Sequence, residues 1–66
     1  MNTQKLMFSV DNFTDNDIEV IIPKNTTAHI WSVRNGSNEK LGTLTTKNDP
    51  AEFTLAPGHI ITRGGM

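Results

Sequence analysis

The segment Thr27-Ala28-His29-Ile30-Trp31-Ser32-Val33, followed by Arg34-Asn35-Gly36-Ser37, decides the fold that we predict for this chain. β-Branched and aromatic residues favour a pleated backbone, because their bulk packs well on a half-buried sheet surface. The Asn-Gly pair then tolerates the positive φ angles of a tight turn. We therefore predict a central strand over residues 27–33 that enters a hairpin over residues 34–40.

Further short strands are predicted on both sides of this central strand. Lys5 to Val10 alternates between apolar and polar residues, which is the pattern of a half-buried strand. The segment from Asp11 to Asp17 is rich in turn formers, and Gly42 is expected to mark a β-bulge or a close backbone approach. The other predicted strands cover residues 18–22, 41–46, 51–55 and 59–62.

The spacing of these strands predicts an all-β fold. Six short strands with turn signals every eight to twelve residues are typical of a single small antiparallel β-sandwich or a partly open β-barrel of about five to six short strands. A chain of 66 residues makes one domain over 1–66, of which residues 63–66 are expected to fray. No linker is recognised within it.

The predicted hydrophobic core is thin. A domain of this length buries only about 60% of the surface that its unfolded chain exposes, and the chain has no cysteine for a disulfide. Self-association or attachment to a larger assembly is therefore expected. The candidate core residues are Leu6, Phe8, Val10, Phe13, Ile18, Val20, Ile22, Ile30, Trp31, Leu41, Leu44, Phe53, Leu55 and Ile60.

His29 and Trp31 are two residues apart, so a strand directs both side chains to the same face. In the favoured interpretation this face is the core, because a short chain with three phenylalanines can hardly spare its single tryptophan. In the alternative, Ala28, Ile30 and Ser32 face the core. The two aromatic rings then form an exposed patch, which is typical of protein, sugar or base contacts. A shift by one residue separates the two interpretations.

Alternating acidic residues precede and enter the predicted strand over 18–22. Asp15, Asp17 and Glu19 are spaced like the first ligands of a calcium loop, but Val20 and Thr26 stand where that loop needs glycine and glutamate. We therefore interpret this segment as a solvated acidic loop. The alternative is an acidic contact surface for a basic partner.

Catalytic, metal and cofactor sites are not predicted. The two histidines, His29 and His59, are 30 residues apart and have no supporting ligand pattern, so no metal site is expected. The chain has no cysteine nucleophile, no phosphate-binding glycine loop and no serine in a nucleophile elbow. The chain is therefore not expected to be an enzyme or to hold a cofactor.

The charge balance argues against nucleic acid as a partner. Six basic and seven acidic residues give a formal net charge of −1, and the basic residues are scattered along the chain. No signal peptide or membrane-spanning segment is recognised, so no membrane partner is expected. A cytoplasmic location is the default expectation, and association with a virion is the alternative.

Two segments resemble a generic pattern of small β-proteins. Ser32 to Ser37 and Thr54 to Gly58 look like the hairpin and the pre-strand turn of many small sandwich modules, which include phage structural and accessory proteins. The resemblance implies a structural or accessory role in an assembly.

The sequence therefore favours a non-enzymatic protein-interaction or assembly module that binds a protein partner or its own copies. Its contact surface would be an edge strand or the face of His29 and Trp31. Arg34, Asp15 and Asp17 complete the candidate interaction residues. One alternative is a small-ligand or carbohydrate-binding module that uses Trp31 as a stacking platform, and another is a small nucleic-acid-binding barrel.

Overall fold

The computed structural model describes residues 3–33, 36 and 38–64, which form seven β-strands. The strands are β1 (Thr3–Lys5), β2 (Ser9–Asn12), β3 (Ile18–Ile22), β4 (Thr27–Ser32), β5 (Glu39–Thr45), β6 (Ala51–Leu55) and β7 (His59–Arg63). The all-β prediction is confirmed, with seven strands in place of about five to six. No helix in the described part of the chain is long and apolar enough to cross a lipid bilayer.

The seven strands form two sheets that pack against each other. One sheet has three strands in the order β1-β3-β6, and the other has four strands in the order β2-β7-β4-β5. Neighbouring strands are antiparallel except β1 and β3, which are parallel. Parallel neighbours need a crossover connection, and here β2 provides it in the opposite sheet. The predicted antiparallel pairing is confirmed at every pair except this one.

The first predicted strand, residues 5–10, is divided between the two sheets. The Leu6 N–H donates to the Ile21 carbonyl (2.9 Å) in one sheet, whereas the Phe8 carbonyl accepts from the Arg63 N–H (2.8 Å) in the other. A bend at residues 7 and 8 joins β1 to β2. Because the bend interrupts the alternation, Leu6 and Val10 are buried but Phe8 is 83% exposed.

The core lies between the two sheets and is aliphatic. Its buried members are Leu6, Val10, Ile18, Val20, Ile22, Ala28, Leu55 and Ile61, and Ile30, Leu44 and Phe53 pack against them. The prediction that Ile18, Val20 and Ile22 of β3 belong to the core is therefore confirmed. The prediction is wrong for Phe8, Phe13 and Leu41, whose side chains are more than half exposed. Phe13 lies in the loop after β2 and Leu41 at an irregularity of β5, so neither continues a regular alternation.

The register of β4 places Trp31 outside the core. Ala28 is fully buried and Ile30 packs against the core, so the intervening side chains lie on the outer face of the four-stranded sheet. His29 and Trp31 are both half-buried on that face. The favoured interpretation of Trp31 as a core residue is therefore wrong, and the alternative register is correct.

The register of β7 also differs from the prediction. Ile61 is fully buried, whereas the predicted core residue Ile60 is half-buried and pairs with Trp31 on the outer face. Ile61 pairs with Val10 on one side and with Ile30 on the other. A continuous row of aliphatic side chains across three strands therefore determines which face of β7 is inside.

β4 and β5 form the predicted hairpin. In the connection, Gly36 has a φ of 74°, while Arg34 lies outside the described residues. The pairing shifts after Ile30, which faces Gly42, because Trp31 faces Lys40. Leu41 is thus the extra residue of a β-bulge, and the bulge predicted beside Gly42 is confirmed.

Backbone hydrogen bonds hold the residues at both ends of β7 in the sheet. Gly58 precedes β7 and has the positive φ (79°) that the predicted Pro-Gly turn requires. Arg63 belongs to β7, and the Gly64 N–H donates to the Thr27 carbonyl (2.6 Å). The fraying predicted for residues 63–66 therefore does not begin at Arg63; residues 65 and 66 lie outside the described part of the chain.

Candidate functional site

Exposed hydrophobic side chains are concentrated around β2, an edge strand of the four-stranded sheet. Among the described residues, four large hydrophobic side chains are exposed, and three of them bracket this strand. Met7 (59% exposed) and Phe8 precede β2, and Phe13 (68% exposed) follows it. Exposed apolar side chains can mark interaction sites, and because three of them flank one edge strand, this edge is the main candidate site.

β2 itself alternates between core and solvent. Val10 is buried against Ile61 of the neighbouring strand, and Asn12 is fully buried. Ser9 and Asp11 are exposed. Because alternate residues of a strand point to opposite faces, the side chains of Ser9 and Asp11 share the outer face of the sheet.

The buried side chain of Asn12 anchors the end of β2. Its Nδ2 donates to the carbonyls of Leu55 (2.7 Å) and Asn16 (2.8 Å). Its Oδ1 accepts from the backbone N–H (3.0 Å) and the hydroxyl (2.6 Å) of Thr14. The amide thus uses both hydrogens and both acceptor positions. This network joins β2 to β6 of the other sheet and shapes the loop that begins at Phe13.

The backbone of β2 presents hydrogen-bonding groups away from the sheet. In an antiparallel ladder, alternate residues direct N–H and C=O to the neighbouring strand, and the residues between direct theirs to the opposite side. The carbonyls of Phe8 and Asn12 accept from Arg63 and Gly58 (both 2.8 Å) on the β7 side. The N–H and C=O groups of Ser9 and Asp11 are therefore directed to the free edge.

The four edge strands differ in the features that discourage strand pairing. β5 carries a bulge next to Lys40, β6 follows Pro50 and contains Glu52, and β1 has three residues that include Lys5. β2 has no proline, lysine or bulge, and its one charged residue is Asp11. β2 is short, but it lacks the proline, lysine and bulge that disfavour pairing at an edge, so its free edge is open to a partner strand.

His29 and Trp31 lie together on the outer face of the four-stranded sheet, as their spacing predicts. His29 Nδ1 is 3.2 Å from Thr43 Oγ1, and Trp31 Nε1 donates to the Thr62 hydroxyl (3.0 Å). A shallow depression of about 220 Å³ is lined by Trp31, Val33, Asn38, Ile60 and Thr62. Both rings are thus half-buried in the sheet surface and held by threonine hydroxyls.

The predicted interaction residues lie on different elements of the chain. Asp15 and Asp17 are exposed in the loop between β2 and β3. Within residues 3–33, 36 and 38–64, no hydrogen bond joins either carboxylate to His29 or Trp31. Arg34, the remaining predicted residue, lies outside the described residues.

An apolar cleft of about 330 Å³ lies between the two sheets. It is bordered by β5 of the four-stranded sheet and β6 of the three-stranded sheet, which do not pair with each other. The residues around it are Ile30, Leu41, Gly42, Phe53, Thr54, Leu55, Ala56 and His59. His59 Nδ1 lies 3.0 Å from the Pro57 carbonyl and must donate to it, because a carbonyl only accepts. In the neutral ring, Nε2 is then the acceptor.

The exposure of Phe8 and Phe13 at the ends of β2 differs from the sequence prediction, which placed both in the core. Phe13 carried a usable signal, because it stands within the run of turn formers from Asp11 to Asp17. Phe8 carried none, since the alternation around it predicts burial and the bend that exposes it depends on pairing with two different sheets.

Neither a cluster of metal ligands nor a matching protein adds information about the site. In the part of the chain that the structure describes, no three histidine, aspartate or glutamate side chains converge to hold a metal ion. Comparisons with protein-family profiles, with curated proteins and with solved structures find no match for this chain.

Proposed function

We propose that this chain is a protein-interaction module that binds an extended protein segment along the free edge of β2. The supporting observation is that Met7, Phe8 and Phe13 are exposed at the ends of a strand whose Ser9 and Asp11 backbone groups are directed to the free edge. In β-strand addition, backbone hydrogen bonds provide affinity and side-chain contacts provide specificity. Methionine and aromatic residues are also enriched in protein interfaces.

Replacement of Ser9 by proline is the most specific way to disrupt strand pairing at this edge. The Ser9 N–H is directed away from β7, so Ser9→Pro removes a donor for a partner strand but no hydrogen bond of the β2–β7 ladder. The matched control is Thr43→Pro on β5, the opposite edge of the same sheet. Thr43 is exposed and lies opposite His29 of β4. The residues on either side of Thr43 make the hydrogen bonds to β4, so proline at this position removes none of them.

The measurement uses extended peptides selected from a displayed random library on the wild-type protein. We expect the selected peptides to bind Ser9→Pro at least about tenfold more weakly, since tenfold corresponds to about 1.4 kcal/mol, the scale of one backbone hydrogen bond. Thr43→Pro should keep wild-type affinity, and circular dichroism should show that both variants are folded. Peptides that bind Ser9→Pro as well as wild type, or a library that yields no binders, would contradict the proposal.

A second candidate function is the binding of a small apolar ligand in the cleft between β5 and β6. The cleft volume of about 330 Å³ is at the lower end of the range of about 300–1,000 Å³ that is usual for ligand sites. Toluene serves as the probe, and we expect it to shift the methyl resonances of Ile30 and Leu55. Gly42→Ile is the test variant, because a Cβ at Gly42 meets no atom within 4 Å and the side chain would fill the cleft. Equal shifts in this variant and in wild type would contradict the assignment.

A further inference from the structure

We propose that the segment that pairs with β2 is β2 of a second copy of this chain, in an antiparallel arrangement about a two-fold axis at Val10. Ser9 of each copy would then face Asp11 of the other. This inference rests on the proposed function of the β2 edge and adds the identity and register of its partner. Its basis is the self-complementarity of residues Met7 to Phe13.

Two-fold symmetry limits the registers that are available. Residues directly opposite in an antiparallel pair have their side chains on the same face. Val10 and Asn12 face the core, and Ser9 and Asp11 face outward. Opposing residues must therefore both be inward or both be outward. Three positions of the two-fold axis meet this condition and use the free backbone groups of β2: at Ser9, at Val10 or at Asp11.

The axis at Val10 uses these backbone groups best. It sets Ser9 against Asp11 twice, and each such pair exchanges two backbone hydrogen bonds. An axis at Ser9 or at Asp11 opposes that residue to its own symmetry mate, which forms a single hydrogen-bonded pair within β2. The register centred on Val10 thus satisfies both outward-directed residues of each copy.

Side-chain chemistry favours the same register. The Ser9 hydroxyl lies opposite the Asp11 carboxylate of the other copy and can donate to it. In the register centred on Asp11, two carboxylates are directly opposite, which is unfavourable for like charges. Beyond the strand ends, the register centred on Val10 brings Met7 of one copy towards Phe13 of the other. Both of these side chains are exposed in the single chain.

The resulting assembly is a closed dimer with one continuous sheet. Each copy contributes its four-stranded sheet, joined at β2. The interface is isologous, because the same surface of each copy takes part, so association stops at two copies. The opposite edge strand, β5, with its bulge and charged residues, remains at the outer margin of the joined sheet.

Disulfide trapping tests the register, because the natural chain has no cysteine. Ser9→Cys and Asp11→Cys are prepared separately in reduced form, mixed in equal amounts, oxidised and analysed by intact-mass spectrometry. Hydrogen-bonded antiparallel pairs have Cα atoms about 5.5 Å apart, within the disulfide range. We expect the mixed disulfide to be more abundant than the two homodisulfides combined. Random pairing would make these two amounts equal. Thr43→Cys, on the opposite edge, should stay largely uncrosslinked.

Each other outcome overturns part of the proposal. A dominant Asp11→Cys or Ser9→Cys homodisulfide, or random pairing of the variants, would exclude the register centred on Val10. Sedimentation equilibrium provides the independent measurement. We expect the wild-type mass to rise twofold with concentration, and the mass of Ser9→Pro to remain that of one chain. A wild-type chain that stays monomeric while its selected peptides still fail on Ser9→Pro would exclude the second copy but leave the proposed function intact.

Discussion

Replacement of Asn12 by aspartate is expected to lower the free energy of unfolding by about 3–5 kcal/mol, the cost of an uncompensated buried charge. The new carboxylate oxygen would occupy the position from which Nδ2 now donates to the carbonyls of Leu55 and Asn16. Three oxygen acceptors would then meet without a hydrogen between them. Since small domains are stable by only about 5–15 kcal/mol, Asn12→Asp should lose a large part of its stability near neutral pH.

Urea denaturation followed by circular dichroism measures this loss. Asn48→Asp is the matched control, because it makes the same chemical change at an exposed position and should lie within about 0.5 kcal/mol of wild type. Acidification protonates the introduced carboxyl group and restores one donor, so the gap between Asn12→Asp and wild type should narrow as the pH falls towards 4. Equal stability of the two variants at pH 7 would show that Asn12 does not join the sheets.

Truncation of Ile61 to alanine is expected to cost about 2–5 kcal/mol, whereas truncation of its neighbour Ile60 should cost about 1 kcal/mol. Ile61 is fully buried between Val10 and Ile30, so its removal leaves a cavity that the two sheets cannot easily close. Ile60 is half-buried on the outer face beside Trp31, and solvent can fill the space that it leaves.

The two isoleucine variants test the register of the four-stranded sheet directly. Urea titrations with a common probe give the two losses under the same conditions, and the difference between them is more reliable than either value. A larger loss for Ile60→Ala than for Ile61→Ala would mean that β7 faces the core with its other side. The same reversal would move Trp31 inward, because it pairs with Ile60.

The candidate site was only partly accessible to prediction. An edge strand was expected to carry the contacts, but the sequence offers no means to say that β2 is an edge. That status depends on β7 pairing with β2 on one side and on no described strand pairing with it on the other. Asn12 was recognised only as a turn former. Its role between the sheets arises because the Leu55 carbonyl, 43 residues away in the chain, needs a donor at that point.

The sequence by itself determined both bounds of β3 and β6 and the first residue of β4 and β7. The bounds of β3 and β6 match the prediction, and Gly58 adopts the positive φ that its turn requires. These properties are local: β-branched residues favour extended backbone, and glycine and proline restrict the turns between them. They operate in any arrangement of the sheets.

Only the tertiary structure decided which face of each strand is inside and which residues remain exposed. A strand has the same period of two in either register, so Ala28 and Trp31 compete for the core until β7 and the opposite sheet pack against β4. The bend that exposes Phe8 likewise exists because Leu6 pairs with one sheet and Phe8 with the other. The central segment 27–33 is therefore a strand for local reasons, whereas the outward position of its tryptophan follows from long-range packing.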